Sequence, residues 1–526
     1  MKIFRYTGVA TLYISFSIML ASCQAETNSK SVAAARSPGA YYISNSGNDN
    51  NDGSNQHPWQ NILKVKDLVL GAGDSVLLQG GQTFTGTLFI NYNTNGSAEK
   101  PVVVASYGNG AAVINSGNER GLIISNSNYI QLKNIKVTGS GRKDGNTTSG
   151  VSIAFSNNIK IDSVEISGYQ KSGLSLRNCS NISVQNVFAH DNGFAGISVG
   201  GDNLLKTDCR NIEIKYCRAE NNPGDPTNHT NHSGNGIIVS QCTNLKIAYC
   251  TATNNGWDMP RTGNGPVGIW AWDADSLTIE HCLAYRNKTS NGGGDGGGFD
   301  LDGGVTNSII QYCLSYENQG SGIGLFEYNY AGPWHNNTIR YNISINDGNV
   351  SPAKAGIFIW NASTTENLKN CFIYNNTIYN NKNAAINYSI ESNNEGFVFY
   401  NNILIGNKEI ISGNNITGKY LGNCWWSLQD GFNVNQITNF TAWATQKQQE
   451  ILNGNVVGMN INPGFVNMDN ISILNAGILS SFQLVRITNP VLLNSGMDIE
   501  QLFGIIKGGK DFNGNVPPLK GIGASF

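Results

Sequence analysis

Charge is scarce in this 526-residue chain. Asp, Glu, Lys and Arg make up 13% of it, against roughly 25% in ordinary soluble domains. The net charge is −2, so nothing draws the chain to nucleic acid. After the first two dozen residues no apolar run is long enough to cross a bilayer. The ten cysteines contain no C-x-x-C pair, which removes the common zinc and dithiol signatures. What is plentiful is glycine, 62 residues, and asparagine. Both suit a chain made largely of turns, glycine through positive φ and asparagine through side-chain-to-backbone hydrogen bonds.

The motif Gly–apolar–x–apolar returns as GVSIAF at 150, GLSLRN at 173, GISVGG at 196, GIIVSQ at 236, GIWAWD at 268, GFDLDG at 298, GIGLFE at 322 and GIFIWN at 356. A second alternating segment follows each copy, for example NLKIAYCTA at 244 and SLTIEHCLA at 276. Apolar–polar alternation is the period of a β-strand. The repeats run from about two dozen to about 40 residues, the range of solenoids, and leave no room for a ten-residue helix. Short strands stacked at a fixed period predict an all-β fold, a parallel β-helix. Cys217, Cys250, Cys282 and Cys313 share one repeat position, followed by Asn342, and Cys179, Cys209 and Cys242 share another. Rungs ~4.8 Å apart stack these as free thiols serving as small core groups, since neighbouring strands rarely suit disulfide geometry.

With the recurring Gly as offset zero, offsets one and three are apolar and face the core, so offsets two and four face out. Early rungs place Ser, Ala, Gly or Arg there. Later rungs place Trp270 and Trp272, Asp300 and Asp302, Phe326, and Phe358 with Trp360. Outward aromatics need a ligand or loop to cover them, and their faces suit the C–H faces of sugar rings. Asp300 and Asp302 lie ~6.5–7 Å apart along one strand, close enough to separate their pKa values and divide acid and base roles. That spacing adjoins the window of roughly 6.5–9.5 Å used by inverting glycosidases. Asp273 and Glu327, at offset five in the flanking rungs, complete an acidic set of candidate catalytic residues. The longest loops all precede these Gly-strands and would wall one edge of a groove. They carry His229, His232, Arg261, Asp295 and Lys354, of which Arg261, His229, His232 and Lys354 are candidate substrate ligands.

The termini carry their own signals. Lys2 and Arg5 precede the apolar VATLYISFSIML, a secretory signal over 1–22. It ends in Leu20-Ala21-Ser22-Cys23, which resembles the lipobox of bacterial lipoproteins. The resemblance implies lipidation of Cys23, a flexible tether over 23–38, and a place in the cell envelope, periplasmic or at the surface. The segment from Tyr41 to Val65 resembles the opening of many secreted right-handed β-helix carbohydrate-active proteins. There NILKVKDLV would be a short amphipathic helix capping the N-terminal end. The solenoid is expected over 39–423, with 424–526 covering the far end, in a monomer.

GFDLDG and its acidic neighbours resemble two enzyme groups of that superfamily. One is the polygalacturonase-like glycoside hydrolases, with Asp general acid and base on this sheet, though no H-G turn or R-x-K motif follows here. The other is the calcium-dependent pectate lyases of polysaccharide lyase family nine. On that resemblance Asp295, Asp300 and Asp302 would hold Ca²⁺, but the paired acids of the lyase strand fall on Gly296 and Gly297, and its lysine falls on Gly324. The expectation is a carbohydrate-active enzyme acting on a polysaccharide or oligosaccharide. Hydrolysis by paired carboxylates without a cofactor comes first, a Ca²⁺-dependent lyase on a uronic acid polymer second, and a non-catalytic surface glycan-binding or adhesive protein third.

Overall fold

The computed structural model describes residues 39–526 except 203–208, 391–393, 466 and 469. The signal segment, Cys23 and the tether lie outside the described residues. The Gly-strands form a single twelve-stranded sheet that begins at Leu88–Ile90 and ends at Ile411–Gly413. Every pairing within it is parallel, as from Val267–Trp272 to Gly297–Leu301 to Ile323–Glu327 to Ile357–Asn361. The inward residues are the predicted ones. Ile237, Ile269, Phe299, Ile323 and Ile357 are each at most 1% exposed, as are their offset-three partners from Val239 to Ile359.

Each rung has three strands where the sequence suggested two. The second segment bends, as between Asp275–Glu280 and Leu283–Tyr285. The bend residues Tyr216, Tyr249, His281, Tyr312 and Tyr341 all take left-handed φ of 51° to 57°. Aromatics in that conformation are uncommon. Here they stack from rung to rung with centroids 4.9–5.8 Å apart, which compensates part of the backbone cost.

Two polar columns run up the interior. Asn192, Asn222, Asn255, Asn287 and Asn318 each donate from Nδ2 to the Oδ1 of the next residue, and Asp347 receives the last bond. This column accounts for the recurring glycine. A Cβ on Gly173, Gly268 or Gly298 would stand 2.7–3.0 Å from the amide nitrogen beside it. In the other column Cys217, Cys250, Cys282 and Cys313 are buried free thiols. Asn342, Asn376, Asn402 and Asn423 continue that line to Glu450.

The ends differ from expectation. NILKVKDLV contributes one 3-10 helix, Ile62–Asp67. Its i, i+3 geometry sets Ile62 and Val65 together in the core. Rungs continue past 423 to the strand Cys424–Ser427. Trp443 and Ala444 of the helix Phe440–Lys447 join Trp425 and Phe432 in the core cluster at this end. The remaining chain then turns back along the side of the solenoid. Ala476 N–H donates to Thr251 Oγ1, the Tyr316 hydroxyl to Ile473 O, and Ala524 N–H to Thr377 Oγ1.

Candidate functional site

The outer face of the Gly-strand sheet carries a cavity of about 620 Å³. Strand register assembles its floor. Trp270 pairs with Asp300, Asp300 with Gly324 and Gly324 with Phe358, while Phe326 pairs with Trp360. Gly324 is glycine for want of space, since a Cβ there would stand 2.6 Å from the Phe326 ring and 3.0 Å from Asp300 Oδ1. A lysine at this position would displace both.

The structure brings most of the predicted residues together. Asp295, Asp300, Asp302, Trp270, Trp272, Phe326, Phe358, Trp360, Arg261, His232 and Lys354 all line the cavity. The outward aromatics are covered, as their position required, with the loop residues His232 and Lys354 against Trp270 and Phe358. Trp270 is 3% exposed, Phe358 6% and Phe326 8%, while Trp272 and Trp360 are half-buried. His229 is exposed and does not reach the cavity.

Asp273 and Glu327 do not line the cavity either; both are buried. Asp273 accepts from Gly332 N–H at 3.3 Å and Glu327 from Tyr328 N–H at 2.8 Å. Offset five is odd, on the inward side with offsets one and three. Glu327 ends the strand Ile323–Glu327 and Asp273 directly follows Val267–Trp272, so neither acid belongs to the outer face. They still act on the site through their charge.

Asp300 is 2% exposed, and its Oδ1 has no hydrogen-bond partner. Burial pushes its carboxyl well above the usual range, Asp302 and Asp295 add to the shift, and Lys354 opposes it. Asp302 is half-buried. Its pKa is also raised, by burial first, with Asp295, Glu327 and Asp273 adding and the Gly303 N–H opposing. Burial pushes Glu327 up to about 7. Among the described residues no three His, Cys, Asp or Glu side chains are grouped to hold a metal ion. Asp295 instead accepts from Gly265 N–H at 2.8 Å and faces Lys354 Nζ at 3.7 Å.

The walls are built by hydrogen bonds and ring contacts. Asn235 accepts from Trp270 Nε1 at 3.0 Å and donates to Phe194 O and to His232 Nδ1, each at 3.1 Å. His232 meets Trp270 edge-on at 4.9 Å. Burial and Arg261 push its pKa down to about 4, so the imidazole is neutral and fixes the indole instead of moving protons. Lys354 Nζ lies 4.4 Å from the Phe358 ring centroid.

Two family models match, the Pel9A-like right-handed β-helix region over residues 41–192 and the right-handed β-helix region over 227–373. The chain is a right-handed parallel β-helix protein. The second match spans nearly every cavity residue of this β-helix. The lacto-N-biosidase of Bifidobacterium longum subsp. longum is 24% identical over 73% of the β-helix chain, which spans 30% of that relative's length. Among solved structures, the GH136 lacto-N-biosidase from Eubacterium ramulus is 16% identical at a TM-score of 0.39, covering 68% of each chain. Pectate lyase Pel9A is 18% identical at a TM-score of 0.45, covering 93% of this chain and 97% of its own.

Sequence reasoning passed over Tyr328, Asn231 and Asn264, which also line the cavity of the β-helix. Tyr328 was within reach. It directly follows Glu327 in GIGLFEYNY, one step beyond the last offset that the repeat made legible.

Proposed function

We propose that this β-helix is a glycoside hydrolase that cleaves a neutral oligosaccharide or polysaccharide in the cavity on its Gly-strand sheet. The observation that carries this reading is the carboxylate pair Asp300 and Asp302, both with raised pKa, on the floor of an aromatic-walled cavity. The 24% identical relative named as a lacto-N-biosidase supports it. The pair divides its roles by surroundings. Burial and nearby acids raise both, but Lys354 opposes the rise at Asp300, whereas the charged groups that shift Asp302 most, Asp295, Glu327 and Asp273, are all acids. Asp302 therefore keeps the proton and delivers it to the glycosidic oxygen as the C–O bond breaks. Asp300 takes a proton from the water whose oxygen bonds to the anomeric carbon, in the inverting geometry.

Charge favours a neutral sugar. Three acids, Asp295, Asp300 and Asp302, line the cavity beside two cations, Arg261 and Lys354, and Lys354 already faces Asp295. No surplus of positive charge awaits a uronate. The lyase reading keeps one observation of its own, a lysine at the cavity that could serve as base, and the adhesive reading keeps the aromatic walls. New reducing ends without an ultraviolet-absorbing unsaturated product are expected, and they fall by about 100- to 10,000-fold in Asp300→Asn and in Asp302→Asn, the scale of losing an acid or base. Unsaturated products abolished by a chelator would establish the lyase. Glycan binding weakened by Trp270→Ala, with no cleavage at all, would establish the binding protein. We also propose that Cys23 anchors a monomeric enzyme in the cell envelope; lipid labelling lost in Cys23→Ser is the check.

A further inference from the structure

The cavity does not end at Trp272. A second, shallower groove of about 250 Å³ continues along the same sheet toward the N-terminal rungs, and Asn231, His232 and Trp272 line both. Its floor is mostly small residues in strand register, with Ile238 beside Ser198. Ser175 pairs with Ser198 and Gly200 with Ser240. These are the positions that carry Trp, Asp and Phe in the catalytic rungs. The half-buried Phe194 and Trp272 wall it. Arg177 lines it too, and Asp202 holds that guanidinium at 2.8 Å, so among the described residues the groove offers hydroxyl partners and ring faces with its one cation already compensated.

We propose that this groove is an additional subsite for an uncharged, hydroxyl-rich sugar unit of the same substrate, entered past Trp272, so that the glycan lies along the solenoid axis with its extension toward the N-terminal rungs. This rests on the glycan-cleaving reading and adds to it a direction and a length. Hydroxyl groups on a small-residue floor are cheap to desolvate beside a sugar, because each lost water contact is replaced by a sugar hydroxyl. An aromatic side wall supplies the apolar contact that fixes ring orientation.

The experiment measures kcat/KM of the full chain on neutral oligosaccharides ending in lacto-N-biose, of increasing length, with oligogalacturonides of equal length as acidic controls. Ser198→Trp, which fills the groove, and Phe194→Ala, which removes a wall, are compared with wild type after their melting temperatures are matched. The expected result is a rise of about ten-fold in kcat/KM when the glycan becomes long enough to enter the groove. Ser198→Trp abolishes the rise without changing the rate on the shortest cleaved substrate, and Phe194→Ala reduces it. The same length dependence in wild type and both variants overturns the subsite. If no glycan is cleaved, the hydrolase reading has failed separately. Binding of the same oligosaccharides to wild type then decides the groove, with affinity gained on lengthening and lost in Ser198→Trp supporting it and length-independent affinity overturning it.

Discussion

Asp295 shows how much one neighbouring charge can set. It raises the pKa of both Asp300 and Asp302. An acid with a raised pKa keeps its proton to higher pH, so the alkaline limb of the rate profile reports it. Asp295→Asn removes that repulsion, and the alkaline limb is expected to move to lower pH with the acid limb moving in the same direction, measured as kcat/KM across pH 4–9. Gly324→Ala is the complementary change in shape. The new methyl would crowd both the Phe326 ring and Asp300, and displacing a catalytic group by even ~1 Å costs about 100-fold. Steady-state kinetics with a melting curve alongside will show a fall in kcat of that order with the fold retained. The sequence pointed to these floor residues because period-two alternation fixes which side of a strand each residue takes. Alternation says nothing of what lies above the strand. That is why the cover over Trp270, Phe326 and Phe358 could be expected only as a ligand or a loop, and the structure supplies loops. Asp273 and Glu327 were grouped with the outward carboxylates although offset five is odd, on the inward side of the alternation, and they do not line the cavity.

At the scale of single elements, the loops over the site are held from a distance. Arg142 donates to Gly224 O at 3.0 Å and pairs with Asp258, which Lys143 also reaches at 2.6 Å, while Lys171 pairs with the buried Asp225. These bonds tie the loops before the strands Asn235–Ser240 and Val267–Trp272 to earlier rungs. Arg142→Ala loosens both without touching the floor, so KM is expected to rise about five-fold with kcat little changed. The interior columns are tested by pH. Asp347 closes the Asn column, and burial raises its pKa to about 6. A carboxyl whose pKa is raised on folding costs stability as pH rises from about 4 through about 6, and the cost is constant above that. Asp347→Asn should therefore stabilise the protein by about 3 kcal/mol at pH 8 and by progressively less toward pH 4, read as the difference in denaturant midpoint. The glycines and asparagines made the strands and turns legible. The bend at Tyr249 and its equivalents was not, because an aromatic residue in left-handed backbone carries no turn signature and is held there by its neighbours in other rungs.

For the whole molecule, the repeat reveals the solenoid and stops where the repeat stops. The C-terminal residues carry no period, so the sequence could place them only as a cover for the open end. One part does serve there, through Trp443. The rest lies along the flank. Met468, Leu479, Phe482 and Val485 pack on Leu283, Tyr285, Leu314 and Tyr316, and Leu492, Met497 and Ile499 pack on Tyr341, Tyr374 and Tyr400. Removing residues 463–526 would bare both apolar strips. Such surfaces drive association, and the truncated protein is expected to melt more than 10 °C lower and to form soluble aggregates, visible by calorimetry and light scattering.

The flank strip has a consequence in time as well as in space. The rungs it covers, from Thr251 to Asn401, include those that carry the cavity floor, and the bonds that bind it there come from residues numbered above 470. Chain synthesis supplies those residues last. The rungs of the cavity can thus be wound in order as they emerge, but they are locked only when the final sixty or so residues fold back over them, so a chain interrupted near its end would hold every catalytic residue and still lack the brace that keeps them in register.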